Sequence, residues 1–250
     1  MSEVVLGTDE RLDDLMFRGR KIIQNRREFC FSLDAVLLAH FPRLHTREKV
    51  LELGTGTGVI PLLVADSVAR VDAVEIAPAL AELAARNVQL NGLGERIFVR
   101  QGDYRQIETL YSRESFDWVL VNPPYRPVGQ GAANRLAGVA RARHEVTATL
   151  ADVADAARYA LKFGGHLAMV HLPERLGEIA VALHERQMEM KRLRMVAPKA
   201  GRAPNLVLIE AVAGARPGGL RVLPTLVVHE ADGGYTPEIL AIYGMDGAKK

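Results

Sequence analysis

The chain has 250 residues, of which 48% are hydrophobic and 25% are charged, and its formal net charge is +2. A chain of this length and composition can bury a large core, so disorder is excluded as the default and one large domain is expected. The small net charge does not by itself indicate a nucleic-acid partner, so only local clustering of charge can bear on that question.

Cysteine content and the absence of an apolar leader bear on the compartment. The single cysteine, Cys30, cannot build a disulfide framework or a cysteine-based metal site within one chain, which favours a reducing compartment. Residues 1–6 lack a basic segment followed by an apolar core, and no stretch approaches the ~20 apolar residues of a membrane span. His144 and Glu145 lack further ligands at metal spacing. We therefore expect a cytoplasmic protein that is neither secreted nor anchored and that holds no metal.

Residues 1–45 precede the first strand of the regular pattern and are expected to form an N-terminal extension. This segment carries a cluster of basic residues and then an apolar run from 29 to 38. Ser32 is expected to cap a helix whose apolar residues Ala35, Val36 and Leu38 pack inward.

From residue 49 onward, short apolar strands alternate with helices. Strands are predicted at 50–53, 71–76, 96–100, 116–121 and 166–170, and helices at about 58–67, 78–91, 150–161 and 173–185. Repeated strand–helix units place parallel strands side by side with helices on both faces. The prediction is an α/β fold, a Rossmann-like, doubly wound and mostly parallel sheet over 46–250, with a ligand crevice at the carboxyl ends of its strands.

The C-terminal third departs from this alternation. Gly164 and Gly165 are expected to end the helix that starts at Leu150. Two strands at 188–195 and 205–212 are predicted to form a hairpin, which adds an antiparallel strand to the sheet. One more strand at 226–228 and a short helix capped at Thr236 complete the expected elements.

The turn after the first strand of the alternation is rich in glycine. Residues 52–58 (Glu-Leu-Gly-Thr-Gly-Thr-Gly) leave a strand and enter a helix, where glycines let backbone approach a ligand closely. A dinucleotide fingerprint fails, because Val59 or Pro61 stands where its third glycine belongs, and no lysine follows as in a P-loop. The turn resembles motif I of the S-adenosylmethionine-dependent methyltransferases.

Two acids stand at the ends of the next two strands. Glu75 lies roughly 20 residues beyond the glycines, the position from which a carboxylate accepts both hydroxyl groups of a ribose. Asp103 follows the third strand and is placed to accept from the amine of the cofactor's adenine. Acids at successive strand ends indicate one shared binding edge.

Residues 122–125 (Asn-Pro-Pro-Tyr) follow the buried strand 116–121. The prolines make the turn stiff, since each holds φ near −65° and Pro123 keeps Asn122 out of the helical region. An amide oxygen, a proline carbonyl and the flat ring of Tyr125 suit a planar group that carries an NH2. If Asn122 Oδ1 and the Pro123 carbonyl accept its two N–H bonds, the nitrogen can pyramidalise and attack a methyl group without a strong base.

Further segments extend the resemblance over nearly the whole chain. The chain is similar to the bacterial tRNA-valine adenine-N6 methyltransferases at residues 11–13, 21–24, 31–38, 52–58, 122–125, 142–145 and 235–239. The resemblance implies S-adenosylmethionine as methyl donor, and the adenine beside the anticodon of a valine tRNA as substrate. It also implies that residues 31–38 help to cover the cofactor.

The expected site residues fall into three groups. The catalytic residues are Asn122, Pro123 and Tyr125, with Tyr125 stacking on the flipped-out adenine. The expected cofactor contacts are Glu52, Gly54, Gly56, Gly58, Glu75, Asp103, Phe31 and Asn122. Basic residues expected to contact RNA phosphate are Arg126, Arg135, Arg141, Arg143, Lys199 and Arg202.

Three alternatives remain open from the sequence. A glutamine-N5 methyltransferase acting on a release factor would also present an NH2 to this turn, although only about 45 residues stand where those enzymes carry a helical domain. A DNA adenine methyltransferase would usually need additional mass for target recognition. A catalytically silent RNA-binding module on the same scaffold is the alternative from a different class. For the oligomeric state we expect a monomer or weak dimer.

Overall fold

The computed structural model describes residues 6–26, 32–125 and 148–245. In these ranges the strands form one two-stranded and one eight-stranded sheet. In chain order they are β1 (Glu10–Asp14), β2 (Lys21–Asn25), β3 (Lys49–Leu53), β4 (Arg70–Glu75), β5 (Ile97–Gln101), β6 (Phe116–Val121), β7 (Leu161–His171), β8 (Met188–Lys199), β9 (Leu206–Ala213) and β10 (Arg221–His229). The α-helices are α1 (Leu33–His40), α2 (Val59–Val64), α3 (Pro78–Leu90), α4 (Ile107–Leu110), α5 (Leu150–Ala160), α6 (Leu176–His184) and α7 (Pro237–Ile242).

The large sheet has the strand order β10-β8-β9-β7-β6-β3-β4-β5. The strands from β7 through β6, β3 and β4 to β5 pair in parallel, whereas β9 is antiparallel to both β7 and β8. The edge strand β10 pairs in parallel with β8. The predicted α/β class, with a mostly parallel sheet and a C-terminal antiparallel hairpin, is confirmed.

The sheet separates two hydrophobic clusters because alternate residues of each strand face opposite sides. Val50, Trp118 and Leu120 pack on one face with residues from α1, α2, α3 and α7. Leu51 and Val119 pack on the other face with residues from α4, α5 and α6. Burial on both faces explains why β3 and β6 are continuous apolar runs rather than alternating ones.

The N-terminal hairpin of β1 and β2 was not predicted. Its strands are short and charged, and they are held by α3 rather than by the large sheet. Asn87 of α3 accepts from the Ile23 amide (2.7 Å) and donates to the Ile23 carbonyl (3.0 Å), while Asn91 makes the same pair of bonds with Lys21. The division of the chain at residue 45 stays a prediction.

The predicted end of the helix that starts at Leu150 is wrong. Helix α5 ends at Ala160, and Leu161 already has extended backbone and pairs with Phe116 of β6. Gly164 and Gly165 lie instead in an irregular part of β7, where a Cβ on Gly165 would stand 3.2 Å from the Asp117 carbonyl oxygen.

Ser32 does occupy the position before α1, but its side chain makes no capping bond to the helix backbone. Its hydroxyl donates to the Asp34 carboxylate instead. By contrast, Thr236 caps α7 as expected, because its hydroxyl accepts from the Ile239 amide (3.5 Å).

Over the described ranges, no helix combines the length and the apolar character that a bilayer crossing demands.

Candidate functional site

The turn of residues 122–125 leaves the central strand β6 beside the glycine turn of β3. Leu53 and Val121 are paired at the carboxyl ends of these strands, so Gly54 and Asn122 follow from neighbouring positions. Asn122 is half-buried, Pro123 is buried and Tyr125 is half-buried. The structure therefore brings the two motifs predicted from the sequence to one edge of the sheet.

The glycine turn is open on the side of the first two glycines. Gly54 and Gly56 have φ values of +73° and +56°, which favour glycine, and a Cβ on either would meet no atom within 4 Å. Gly58 differs, because a Cβ there would stand 3.3 Å from the Ala84 Cβ of α3. The first two glycines thus leave room for a ligand, and the third allows α3 to pack closely.

Glu75 holds the glycine turn from the end of β4. One carboxylate oxygen accepts from the Gly56 amide (2.8 Å), and the other accepts from the Ala77 amide (2.9 Å). Each carboxylate oxygen has a second lone pair, so these bonds orient the group and still leave acceptor capacity for ribose hydroxyls.

Asn87 of α3 also holds the glycine turn. Besides its two bonds to Ile23, it donates to the Thr57 carbonyl (2.9 Å), and its side chain is fully buried. Leaving such buried backbone groups unpaired costs about 1–3 kcal/mol each. The sequence alone does not indicate this role, since an asparagine inside a helix does not reveal which backbone groups it contacts.

Glu52 lies beneath the glycine turn and is 2% exposed. Burial raises the pKa of its carboxyl group to about 8, and the nearby Glu75 carboxylate acts in the same direction. The Thr55 hydroxyl donates to Glu52 and opposes the shift in pKa. At neutral pH Glu52 is therefore mostly protonated in the cofactor-free protein.

This protonation predicts a pH-dependent stability. Because the folded-state pKa of Glu52 lies above its unfolded value, its stabilising contribution is complete below the unfolded pKa and is lost as pH rises through the folded pKa. Glu52→Gln should remove a slope of up to about 1.4 kcal/mol per pH unit between roughly pH 5 and 8. Urea unfolding of both proteins without cofactor measures the difference, and parallel pH profiles would contradict the assignment.

Asp103 follows β5 at the same edge of the sheet. Its carboxylate is bound by the Arg105 guanidinium, whose Nε lies 2.9 Å from Oδ2, and Oδ1 accepts from the Arg105 amide (2.9 Å). These hydrogen bonds from Arg105 lower the pKa of Asp103. The side chain is thus an oriented, ionised acceptor, and its contact with a cofactor adenine stays a prediction.

Two residues beside Tyr125 were missed by sequence analysis. Asp34 of α1 accepts from the Tyr125 hydroxyl, and the ring of His171 lies 5.4 Å from the Tyr125 ring, between centroids. His171 ends β7, the strand next to β6. The position of His171 at the end of a strand could have predicted that it lies near the site. By contrast, nothing local in the sequence indicates that Asp34 contacts Tyr125.

The residues predicted to bind RNA divide into two sets. Lys199 and Arg202 are exposed at the turn between β8 and β9, which lies at the same edge as Asn122 because β8 runs parallel to β7. Outside the described residues lie Phe31, Arg126, Arg135, Arg141 and Arg143.

The residues present fit the predicted cofactor. The open cradle above Gly54 and Gly56, with the oriented carboxylates of Glu75 and Asp103 on the next two strands, provides backbone space and acceptors for a nucleoside with hydroxyl and amine groups. Within the described ranges, no group of three or more His, Cys, Asp or Glu side chains is arranged to hold a metal ion.

Comparison with known proteins identifies the family. Residues 33–185 match the family model of the methyltransferase small domain. A tRNA1(Val) (adenine(37)-N6)-methyltransferase of Tolumonas auensis is 31% identical over 90% of this chain and 93% of that protein. One of the same name from Porphyromonas gingivalis is 30% identical over 78% of each chain.

A solved structure supports the fold. A protein described as a predicted O-methyltransferase from Agrobacterium tumefaciens superposes with a TM-score of 0.68, at 23% identity, over 86% of this chain and 98% of that one. With the glycine turn and the Asn-Pro-Pro-Tyr turn side by side on this fold, the matched model and the two relatives show that the chain belongs to the family of tRNA1(Val) (adenine(37)-N6)-methyltransferases.

Proposed function

We propose that this protein transfers a methyl group from S-adenosylmethionine to the N6 amine of adenine 37 in tRNA1(Val). The observation that carries the proposal is the pairing of Leu53 with Val121, which sets Asn122 directly beside the glycine turn. The names of the two relatives support the choice of substrate. They favour neither the release-factor glutamine methyltransferase nor the silent RNA-binding module.

The chemistry rests on the hydrogen-bond acceptors at the Asn-Pro-Pro-Tyr turn. The exocyclic nitrogen of adenine is a poor nucleophile because its lone pair is delocalised into the ring. Asn122 Oδ1 and the Pro123 carbonyl would accept its two N–H groups, which favours a pyramidal nitrogen with a directed lone pair. The bound cofactor supplies an electrophilic sulfonium methyl group. Tyr125 would stack on the extruded base and exclude water from it.

Binding of the cofactor is assigned to the neighbouring strand ends. Gly54 and Gly56 would receive it in the open cradle, and Glu75 would accept from its ribose hydroxyls. Asp103, oriented by Arg105, would accept from the adenine amine. Glu52 supports the turn from below through Thr55.

The RNA would lie along the carboxyl edge of the sheet. Lys199 and Arg202 belong to a turn three strands from β6, about 14 Å away at the usual strand spacing. That distance suits contact with phosphates that flank a base held at Asn122. Cytoplasmic location and function without a metal complete the proposal, and the monomer or weak dimer stays a prediction.

Charge removal tests the RNA side. Replacing Lys199 and Arg202 with Ala should weaken tRNA binding and reduce the slope of log affinity against log salt by roughly one for each phosphate that the variant no longer neutralises. Arg126→Ala with Arg135→Ala is expected to act in the same way. Arg113→Ala, an exposed arginine before β6 at the opposite edge of the sheet, is the matched control. If the salt dependence of tRNA binding equals that of the control, these residues do not contact RNA phosphate.

The reaction itself is tested by methylation with radiolabelled S-adenosylmethionine on total tRNA, total protein and DNA, each from cells that lack this enzyme. The proposal predicts label in tRNA and N6-methyladenosine after nuclease digestion. Label in a release factor would support the glutamine methyltransferase instead, and no label in any fraction would support the silent module.

A further inference from the structure

The hydroxyl group of Tyr125 is bound by a residue from the N-terminal part of the chain. It donates to Asp34 Oδ2, and the two residues are 91 positions apart in the sequence. Asp34 stands in the first turn of α1 and is 7% exposed. The side chain proposed to stack on the adenine is therefore tethered at its far end by a buried carboxylate.

Asp34 is itself held in place by its own hydrogen bonds. Its Oδ1 accepts from the Ser32 hydroxyl and from the Ala35 amide (3.0 Å). Helix α1 is anchored in the core, since Val36, Leu37 and Leu38 are at most 1% exposed. The acceptor that meets Tyr125 is consequently attached to the packed interior of the protein.

His171 contacts the same ring from β7. The two ring planes are inclined at 59°, with centroids 5.4 Å apart. His171 is 1% exposed and its Nδ1 accepts from the Leu172 amide (2.8 Å), which orients the imidazole. Burial, with the nearby Arg175, lowers the pKa of His171 to about 4, so the imidazole is neutral at physiological pH. Tyr125 is thus held at its hydroxyl by Asp34 and is contacted by the imidazole of His171.

We infer that Asp34 is a positioning residue, which fixes the orientation of the Tyr125 ring before RNA arrives so that the extruded adenine stacks with its N6 group at Asn122. The inference rests on the proposed function. A ring already held in one orientation loses no further rotational freedom when the base stacks on it. Helix α1, which carries Asp34, would then contribute to the geometry of the adenine pocket.

Kinetics of three variants test this inference. Asp34→Ala removes the acceptor of the hydrogen bond, and Tyr125→Phe removes its donor but keeps the aromatic ring. Each should lower kcat about 5- to 50-fold, because a misplaced base reacts slowly, while the KM for tRNA and the affinity for S-adenosylmethionine stay near wild type. The double variant should lose no more than the larger single effect, since the bond between Tyr125 and Asp34 is already absent from each single variant.

A second measurement distinguishes whether Asp34 orients the Tyr125 ring or only stabilises the fold. tRNA1(Val) with 2-aminopurine at position 37 reports stacking, because the fluorescence of the extruded base is quenched when it lies on the tyrosine ring. Quenching should decrease in Asp34→Ala and in Tyr125→Phe. Asp66→Ala is the matched control: it also removes a carboxylate that holds the N-terminal segment, through Arg18 and Arg20, but at the opposite edge of the sheet. This control should change neither quenching nor kcat.

The outcomes are distinct. Lower melting temperatures with unchanged kcat and unchanged quenching would overturn the inference and leave Asp34 a structural residue. Additive losses in the double variant would overturn it as well. If Asp34→Ala does not fold, Tyr125→Phe carries the test alone, as it deletes the same bond. If the wild-type protein neither methylates adenine 37 nor quenches the probe, the proposed function has failed instead.

Discussion

Replacing Asn122 with Ala is expected to lower kcat by more than roughly a hundredfold and to leave the affinity for S-adenosylmethionine within a few-fold of wild type. The amide oxygen is assigned to the substrate amine, and that bond strengthens only as the nitrogen becomes pyramidal. Its loss should therefore raise the barrier without weakening the ground-state complex. Single-turnover methylation of tRNA gives the rate, and calorimetry with the cofactor gives the affinity.

The control for this substitution is Asn205→Ala. Asn205 is an exposed asparagine between β8 and β9, also at the carboxyl edge of the sheet, and it should keep wild-type activity. An Asn122→Ala protein that still turns over at close to the wild-type rate would remove Asn122 from the chemistry. A large loss of cofactor affinity would move its role from the substrate amine to the cofactor.

Substitution of Glu75 by Ala should instead act on the cofactor, with an affinity loss of about 10- to 100-fold. Hydrogen bonds to a charged acceptor contribute about 1.5–3 kcal/mol, and the substitution also releases the Gly56 amide from its partner. Calorimetric titration with S-adenosylmethionine measures the effect. Because the carboxylate also holds the turn, some loss of thermal stability should accompany it.

Asp72→Ala distinguishes these two contributions. Asp72 lies on the same strand, is 1% exposed and pairs with Arg70, so its removal should destabilise the fold without touching the cofactor cradle. If both variants lose stability but only Glu75→Ala loses cofactor affinity, the ribose contact is supported. Unchanged affinity in Glu75→Ala would contradict it.

Local patterns were sufficient to predict that the glycine turn and the Asn-Pro-Pro-Tyr turn lie at one edge of the sheet. The apolar run of β6 and the stiff turn after it, like β3 and its glycines, are contiguous in sequence, and parallel pairing brings their ends together. The predicted methyltransferase fold and the family are confirmed by the structure and by the relatives. The individual roles of the site residues remain predictions.

Contacts between distant segments could not be predicted in this way. The bond from Tyr125 to Asp34 depends on how α1 packs, and the residues around Asp34 in the sequence do not reveal that packing. The hairpin of β1 and β2 depends on the side chains of Asn87 in α3 and of Asn91 just after it, which bond the backbone of β2. A pair of glycines is typical of a helix end, which is why Gly164 and Gly165 were predicted to end the helix. The helix ends earlier, because the buried Leu161 pairs with β6 as part of the sheet.

The most direct test of the proposed reaction uses one tRNA with one changed base. Purified protein, S-adenosylmethionine and tRNA1(Val) carrying either adenine or guanine at position 37 are incubated, and the products are digested to nucleosides and analysed by mass spectrometry. We expect one N6-methyladenosine per tRNA with adenine 37 and none with guanine 37. Equal methylation of the two tRNAs, or methylation of neither, would contradict it.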